Sequence, residues 1–423
     1  MLGNGGTTTF PPPIFMRMRQ NFFLILIAMI TAYLPARAYD FMVDGLCYNI
    51  NDDGNSVTLT WETSPGSEYN GFDIITYNEI NADVVIPEQV TYNGVTYTVI
   101  AIDSYCFNIC EGIESVTIPE TVKSIGSFAF KGCAKLKSLA IPKSIEHIGT
   151  NPILSCPDID KITVNAENPF FDSRNGCNAV IATSSNMLIS GCKNTIIPNG
   201  VSIIGEYAFG SCGDLPRFNL PETLIKICDN AFWGCEISNC VLRIPNSVTH
   251  IGNDALPFLV DVYTIIVGES TQYIGKRAFA NESTTDATIQ VVCLAENPPY
   301  LEFIPYKPTS HPFWWLGGGE YDNKKILYVP DIDVYTYYSG ELCYDWFWVV
   351  WDDVLPLSEF DGDLIQTFCD VNCDGNVTSS DVTALYNYLL NSDNTYAATG
   401  DVNGDGNITA ADITAIYNIL LGN

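Results

Sequence analysis

The residues best suited to chemistry lie at the end of the chain, where one spacing occurs twice. Asp370 to Asp381 reads DVNCDGNVTSSD and Asp401 to Asp412 reads DVNGDGNITAAD, the two copies starting 31 residues apart. Each sets Asp or Asn at alternating positions, glycine (Gly375, Gly406) at the sixth place and an acid at the twelfth. A hard cation that takes about six to eight oxygens is served by such a loop: carboxylates and amides converge on one point once glycine permits the sharp turn. The pattern is that of a calcium loop, and two in-phase copies predict two Ca2+ ions. Side-chain oxygens of Asp370, Asn372, Asp374 and Asp381 are assigned to the first, and those of Asp401, Asn403, Asp405 and Asp412 to the second. Asn376 and Asn407 supply backbone carbonyls, while Thr378 and Thr409 act through water.

One element must position each loop. An amphipathic helix follows each copy, VTALYNYLLN and ITAIYNILLG, with no matching helix before it. This half-motif, repeated over residues 362–423, resembles a type I dockerin. The resemblance implies a small all-α module that folds on binding calcium and plugs into a cohesin domain on a scaffold or cell surface. It also implies partner contacts at loop positions ten and eleven, here Ser379, Ser380, Ala410 and Ala411.

Upstream the chain repeats with a period of 23 residues. Ile118-Pro119 recurs as Ile141-Pro142, and Ile125-Gly126 as Ile148-Gly149. The spacing returns at Ile197-Pro198, Leu220-Pro221 and, after one inserted residue, Ile244-Pro245; Ile-Gly returns at 204–205, 251–252 and 274–275. Phe107, Phe130, Phe209, Phe232 and Phe279 keep step, as do Cys110, Cys133, Cys156, Cys212 and Cys235. An L-x-x-L-x-L pattern within each unit predicts a short strand with one face inward. A unit this small cannot bury its apolar face alone, so successive units must stack on a shared core, which predicts a solenoid with a parallel sheet.

The pattern resembles the leucine-rich repeat of bacterial surface proteins, the BspA-like type, over residues 99–285. The expected fold is mainly β: a leucine-rich repeat solenoid with a β cap, followed by a small all-α calcium-binding module. Residues 39–98 alternate with period two and contain the hairpin signal Tyr92-Asn93-Gly94-Val95, which predicts the N-terminal β cap. A hairpin inserted near 165–195 accounts for the stretched interval between Gly149 and Gly205. From 286 to 358 the repeat fades into a segment holding Trp314, Trp315, Trp346, Trp348 and Trp351, read as a C-terminal cap or, if the rings are exposed, as a carbohydrate platform.

At the start, Arg17 and Arg19 precede an apolar run from Phe22 to Leu34 and the small-residue motif Ala36-Arg37-Ala38. This is the layout of a secretory signal peptide cut after Ala38, with residues 1–38 as leader and translation starting at Met16 or Met18. The run is too short to span a bilayer core, so a secreted, cell-surface-associated protein without a membrane span is expected.

The 15 cysteines of an exported chain would ordinarily suggest disulfides, but five of them share one repeat position and read as a ladder of small buried side chains. Pairing of Cys177 with Cys192, or of Cys369 with Cys373, stays open on the sequence. His147 and His250 share a variable repeat position and read as surface residues, and His311 is the third and last histidine. No nucleophile elbow, H-E-x-x-H helix or phosphate loop occurs, so no catalytic residue is assigned.

The 423 residues carry a net charge of −30, from 49 acids against 19 bases. A surface of that sign repels phosphate backbones and excludes nucleic acid as a partner. Nine of the acids, all Asp, fall in residues 361–423, and six of those nine are predicted calcium ligands. The sequence thus reads as a secreted, non-catalytic binding protein. Its solenoid recognises a protein or glycan and its dockerin-like module tethers it to a cohesin-bearing assembly. The alternative is an accessory of a polysaccharide-degrading complex that binds sugar through the Trp-rich segment.

Overall fold

The computed structural model describes residues 39–62, 77, 83–215, 219–238, 241–260, 262–281, 288–302, 311–313, 324–332, 351–360, 378–391, 402 and 409–420. The signal peptide reading lies outside these residues.

The N-terminal strands Phe41–Val43, Leu46–Ile50 and Ser56–Thr60 form an antiparallel meander. Gln89–Tyr92 and Val95–Ile102 make a hairpin in which Tyr92 faces Val95. Its two turn residues, Asn93 and Gly94, have φ of 51° and 80°, the left-handed pair that a type I′ turn demands. Ser56–Thr60 then joins Val95–Ile102 in parallel. The antiparallel cap thereby hands over to parallel stacking.

Every later turn adds one short strand to a parallel ladder: Ser124–Ile125 and His147–Ile148, then Ile203–Ile204, Lys226–Ile227, His250–Ile251, Tyr273–Ile274 and Tyr300–Leu301. At the second residue of the Ile-Gly pair the N–H donates to an isoleucine carbonyl of the turn before, at 2.8 Å for Gly126, 2.9 Å for Gly149 and 2.8 Å for Gly275. Cys228 stands in the same column, where the bond is 3.0 Å. Glycine is needed there for clearance: a Cβ at Gly126 would lie 2.3 Å from the backbone N of Ser104, and one at Gly149 would lie 2.4 Å from that of Ser127.

Four residues after that glycine position, each turn bonds the other way. The Phe107, Phe130 and Phe209 N–H groups donate at 2.7–2.8 Å to carbonyls of the following turn. Their rings stack along the axis, Phe107 on Phe130 at 5.5 Å and Phe209 on Phe232 at 4.9 Å, with Phe279 on Phe313 at 5.2 Å. Each ring is buried, and burial on this scale contributes about 1.5–3 kcal/mol per side chain. Ion pairs between turns, such as Lys123–Glu146 and Lys143–Glu167, are solvent-exposed and contribute little by comparison.

The cysteines share this column logic. Cys133 donates its thiol to the Phe107 carbonyl at 3.2 Å and Cys156 to that of Phe130 at 3.1 Å. Burial pushes the Cys47 and Cys156 thiols up to about 12, so neither is a thiolate at neutral pH. Cys177 and Cys192, whose pairing the sequence left open, are both free and buried; Cys192 lies against Thr195 and the Asn178 carbonyl instead. Cys369 and Cys373 lie outside the described residues.

The interval between Gly149 and Gly205 holds Phe171–Asp172, Val180–Ala182 and Met187–Ser190 in antiparallel pairing, with Met187–Ser190 also parallel to Ile203–Ile204. This hairpin is a partition with both faces buried. Val180 and Ile189 pack with the N-terminal half of the core, whereas Ile181 and Leu188 pack with the C-terminal half. Asn151, itself buried, stitches the break: its Nδ2 donates to the Tyr207 carbonyl at 2.6 Å and its Oδ1 accepts from Ser190 Oγ at 2.6 Å.

Parallel pairing runs on beyond residue 285. Val241–Arg243, Thr264–Val267, Ile289–Cys293, Lys325–Val329 and Asp353–Pro356 form one continuous ladder. Strand pairing needs only backbone partners and inward apolar residues, here Val291, Leu327 and Val329, and so outlasts the Ile-Gly and Phe signature. Trp351 packs half-buried on this core, 5.4 Å from Phe313, while Trp314, Trp315, Trp346 and Trp348 lie outside the described residues.

Two outcomes follow from this packing. Gly126→Ala is expected to lose about 1–3 kcal/mol in chemical denaturation, because backbone rather than a flexible side chain fills the space; an unchanged midpoint would mean that the neighbouring turn yields freely. In the native protein at pH near 8, Ellman's reagent should leave Cys106, Cys110, Cys133 and Cys156 unmodified and reach them only in denaturant. Modification of the native ladder, mapped by mass spectrometry, would contradict its burial.

Candidate functional site

Two helices end the described chain, α1 (Ser379–Asn391) and α2 (Ala410–Leu420). Their starts are built alike. Thr378 precedes α1, and its Oγ1 accepts from the Ser380 N–H at 3.1 Å while the Asp381 carboxylate reaches back to the Thr378 N–H at 2.7 Å. Thr409, Ala411 and Asp412 repeat both bonds at 3.1 Å and 2.7 Å. Such a reciprocal capping box satisfies N–H groups that no helical carbonyl reaches, and the acid gains from the positive end of the helix dipole.

Asp381 and Asp412 are 0% exposed, an unusual place for carboxylates. Burial of a full charge is tolerated where a countercharge or several donors meet it. The two helices hold each other through Val382, Leu385, Ile413 and Ile416, with Val402 from the second loop in the same cluster. Each of the first pair has its partner 31 residues on, so the duplication seen in the motif extends to the packing. The same apolar stripe runs on through Tyr386, Leu389, Tyr417 and Leu420, which are exposed.

Of the ten predicted ligands, Asp381 and Asp412 are described and occupy equivalent positions at the two helix starts. Asp370, Asn372, Asp374, Asn376, Asp401, Asn403, Asp405 and Asn407 lie outside the described residues. The donor set, all carboxylate and amide oxygen, suits a hard cation, and the two buried carboxylates fit a countercharge delivered by one. Bound there, calcium supplies positive charge and rigid coordination rather than a reactive centre. Ser379, Ser380, Ala410 and Ala411 are all exposed beside the capping threonines.

A second feature escaped the sequence reading. On the turn side of the solenoid, Tyr105, Phe128, Leu154, Tyr207 and Trp233 line a cleft of about 920 Å³, together with Glu111 and Lys131. Phe128 lies 5.2 Å from Tyr105 and 5.8 Å from Tyr207, and Tyr207 lies 6.3 Å from Trp233. Trp233 is 42% exposed. Tyr105, Phe128 and Tyr207 share one repeat position, and each adopts a left-handed φ of 54–57°. Asn230 and Asp254 take the same position in later turns, at 55° and 49°, where Asn and Asp accept this conformation far more readily than bulky rings do. Arg277 also holds this conformation, at 50°, so the left-handed turn belongs to the repeat and sets the three aromatics in one column. The signal was present in the sequence as three aromatics in one column.

The geometry defines a leucine-rich repeat solenoid followed by a duplicated loop-helix module, and comparisons agree. The model for the BspA type Leucine rich repeat region matches six copies over residues 88–175 and 185–294, and that for the Dockerin type I domain matches residues 369–421. The chain carries BspA-type leucine-rich repeats and a type I dockerin domain. Type I dockerin domains bind calcium and dock onto cohesins.

Among solved structures, a leucine-rich repeat protein from Bacteroides ovatus is 21% identical, with a TM-score of 0.37, covering 75% of this chain and 77% of that one. A leucine rich cell surface protein from Faecalibacterium prausnitzii is 17% identical, with a TM-score of 0.33, covering 60% and 96%. No curated protein matches the chain. Among the described residues, no helix is long and apolar enough to cross a membrane.

Asp381→Asn keeps the shape of the capping residue but removes a charge, and it should lower the bound calcium measured by elemental analysis from two ions per chain to one. Retention of both would show that the twelfth loop position is not a ligand.

Proposed function

We propose that the protein is a secreted, non-catalytic recognition protein whose solenoid binds a protein or glycan target while the calcium-loaded dockerin tethers it to a cohesin-bearing extracellular assembly. One observation carries this reading: a solenoid with an aromatic cleft is joined in one chain to a module whose two helix starts present matching exposed residues, Ser379 and Ser380 on one, Ala410 and Ala411 on the other. Two Ca2+ ions, held by the ten residues named above, order the loops from which these contacts project. The four positions take the cohesin contacts in this reading. Their chemistry differs between copies, hydroxyl against methyl, so the two copies present unlike surfaces to a partner.

Binding rather than catalysis also suits the titratable groups. The histidines on the short ladder, His147 and His250, are exposed, and His250 contacts the Thr249 hydroxyl and the Tyr273 ring. Glu302, the acceptor of the Tyr273 hydroxyl, is tied to Lys276 at 2.6 Å and held below the usual carboxylate range by that bond. A carboxylate so paired is a structural acceptor, not an available base.

The test is capture of the purified full chain by a panel of immobilised cohesins, with and without a calcium chelator. Binding that vanishes on chelation and returns with added calcium is expected. Capture that survives chelation, or no capture by any cohesin, would overturn the tethering role.

A further inference from the structure

The cleft on the turn side of the solenoid has an electrostatic direction. The column that runs Tyr105, Phe128, Tyr207 continues as Asn230, Asp254 and Arg277, and the column beside it continues from Glu206 to Asp229, Asn253 and Lys276. Lys276 and Arg277 are already committed, to Glu302 at 2.6 Å and Asp254 at 2.7 Å. Glu206 and Asp229 have no cation at ion-pair distance among the described residues. Burial, followed by the fields of Glu206 and Asp254 and then that of Asp229, raises the Tyr207 hydroxyl above its usual range, which puts these carboxylates within electrostatic reach of the cleft. Glu111 and Lys131, which line the cleft itself, are of opposite sign; Glu206, next in sequence to the lining Tyr207, and Asp229, whose carboxylate also accepts from Asn253 N and Nδ2 at 2.9 and 3.3 Å, stand in the column beside the lining and tip the balance.

Shape narrows the occupant further. Phe128 and Tyr207 meet at 79°, and Tyr207 and Trp233 at 74°. Rings set edge to face wall a slot; they do not offer the flat exposed platform on which a pyranose stacks. The slot crosses five turns, from the turn of Tyr105 to that of Trp233. At strand spacing this is roughly 19 Å, the reach of about six extended residues.

We propose that this slot binds an extended polypeptide segment of a partner through a lysine or arginine side chain flanked by apolar residues. The methylenes of the cationic chain lie against the Tyr207 and Trp233 rings, where cation–π attraction adds to burial, and its head reaches Glu206 and Asp229. The apolar neighbours fill the space beside Phe128 and Leu154. This inference rests on the reading of the solenoid as the recognition surface and names the chemistry of its partner.

The test is fluorescence anisotropy of the calcium-loaded full chain with a fluorescein-labelled heptapeptide centred on Leu-Arg-Leu, beside its Leu-Glu-Leu counterpart. The Arg peptide should bind, and the Glu peptide should bind at least about tenfold more weakly. Trp233→Ala and Glu206→Gln, both at exposed positions, should each weaken the Arg peptide by about five- to tenfold without shifting the unfolding transition. Raising salt from about 0.05 M to about 0.5 M should weaken it as well. Absence of Arg-peptide binding, equal affinity for both peptides, or indifference to Trp233→Ala would overturn the proposal. Displacement of the peptide by cello- or xylo-oligosaccharides would overturn it in favour of a glycan. Cohesin capture, run in parallel on the same variants, separates the outcomes: if it persists while peptide binding fails, the tethering role stands and only the slot's assignment falls.

Discussion

The long domain depends on one close approach: the backbone of each turn lying against the backbone of the turn before it at the Ile-Gly pair. There the N–H bonds across at 2.8–3.0 Å and most turns leave no room for a Cβ. Because that contact fixes the register of every turn, residues 23 apart fall into columns, and each column becomes a continuous feature. The inward columns are phenylalanine rings, thiols and branched aliphatics. The outward ones are ion pairs, the His250, Tyr273 and Tyr300 stack at 5.8 Å spacing, and the cleft. Loss of register at one turn would misalign all of them together, which is why a modest local constraint governs so much of the surface.

The inserted hairpin is the test of that principle, since it interrupts the register and must restore it. It does so by serving two cores at once: strand alternation sends Val180 and Ile189 one way and Ile181 and Leu188 the other. A hairpin of an ordinary half-exposed sheet would have left one of these faces to water. Asn151 completes the repair through its bonds to Ser190 of the hairpin and Tyr207 beyond it, and Leu154, three residues on, sits where a Cβ on Gly210 would lie 2.1 Å from its Cδ1. The cleft passes over this junction. Its aromatic wall is therefore assembled from turns that are adjacent in space but separated by more than fifty residues of sequence between Leu154 and Tyr207.

That separation explains what the sequence disclosed and what it withheld. The period of 23, the Phe and Cys columns, the Asn93-Gly94 turn and the antiparallel strands near 165–195 were legible because each depends on local spacing. The doubly loaded hairpin was not, because Val180-Ile181 reads the same whether one face or both are buried. The continued ladder at Ile289–Cys293, Lys325–Val329 and Asp353–Pro356 was hidden because backbone pairing outlives the side-chain signature. Cys177 and Cys192 could be settled only by their surroundings. At the C-terminus the ligand pattern identified Asp381 and Asp412, but their second role, as acids of two capping boxes, emerged only from the bonds to Thr378 and Thr409.

The double role bears on how the two parts of the chain divide the work. The solenoid is held by an apolar core that owes nothing to ions, so its columns and its cleft persist whatever the calcium concentration. The C-terminal pair of helices shares only a handful of buried apolar residues, Val382, Leu385, Ile413 and Ile416 among them, and carries nine Asp with no Glu, Lys or Arg over residues 361–423. A core that small contributes little against the self-repulsion of so many like charges. On the proposed reading, two divalent ions would offset four of the nine charges and meet the two carboxylates that folding buries, which would couple the ions to folding itself. On the same reading, recognition by the cleft is constitutive and tethering is conditional on calcium, because the uncompensated run of nine Asp lies in the part that must switch.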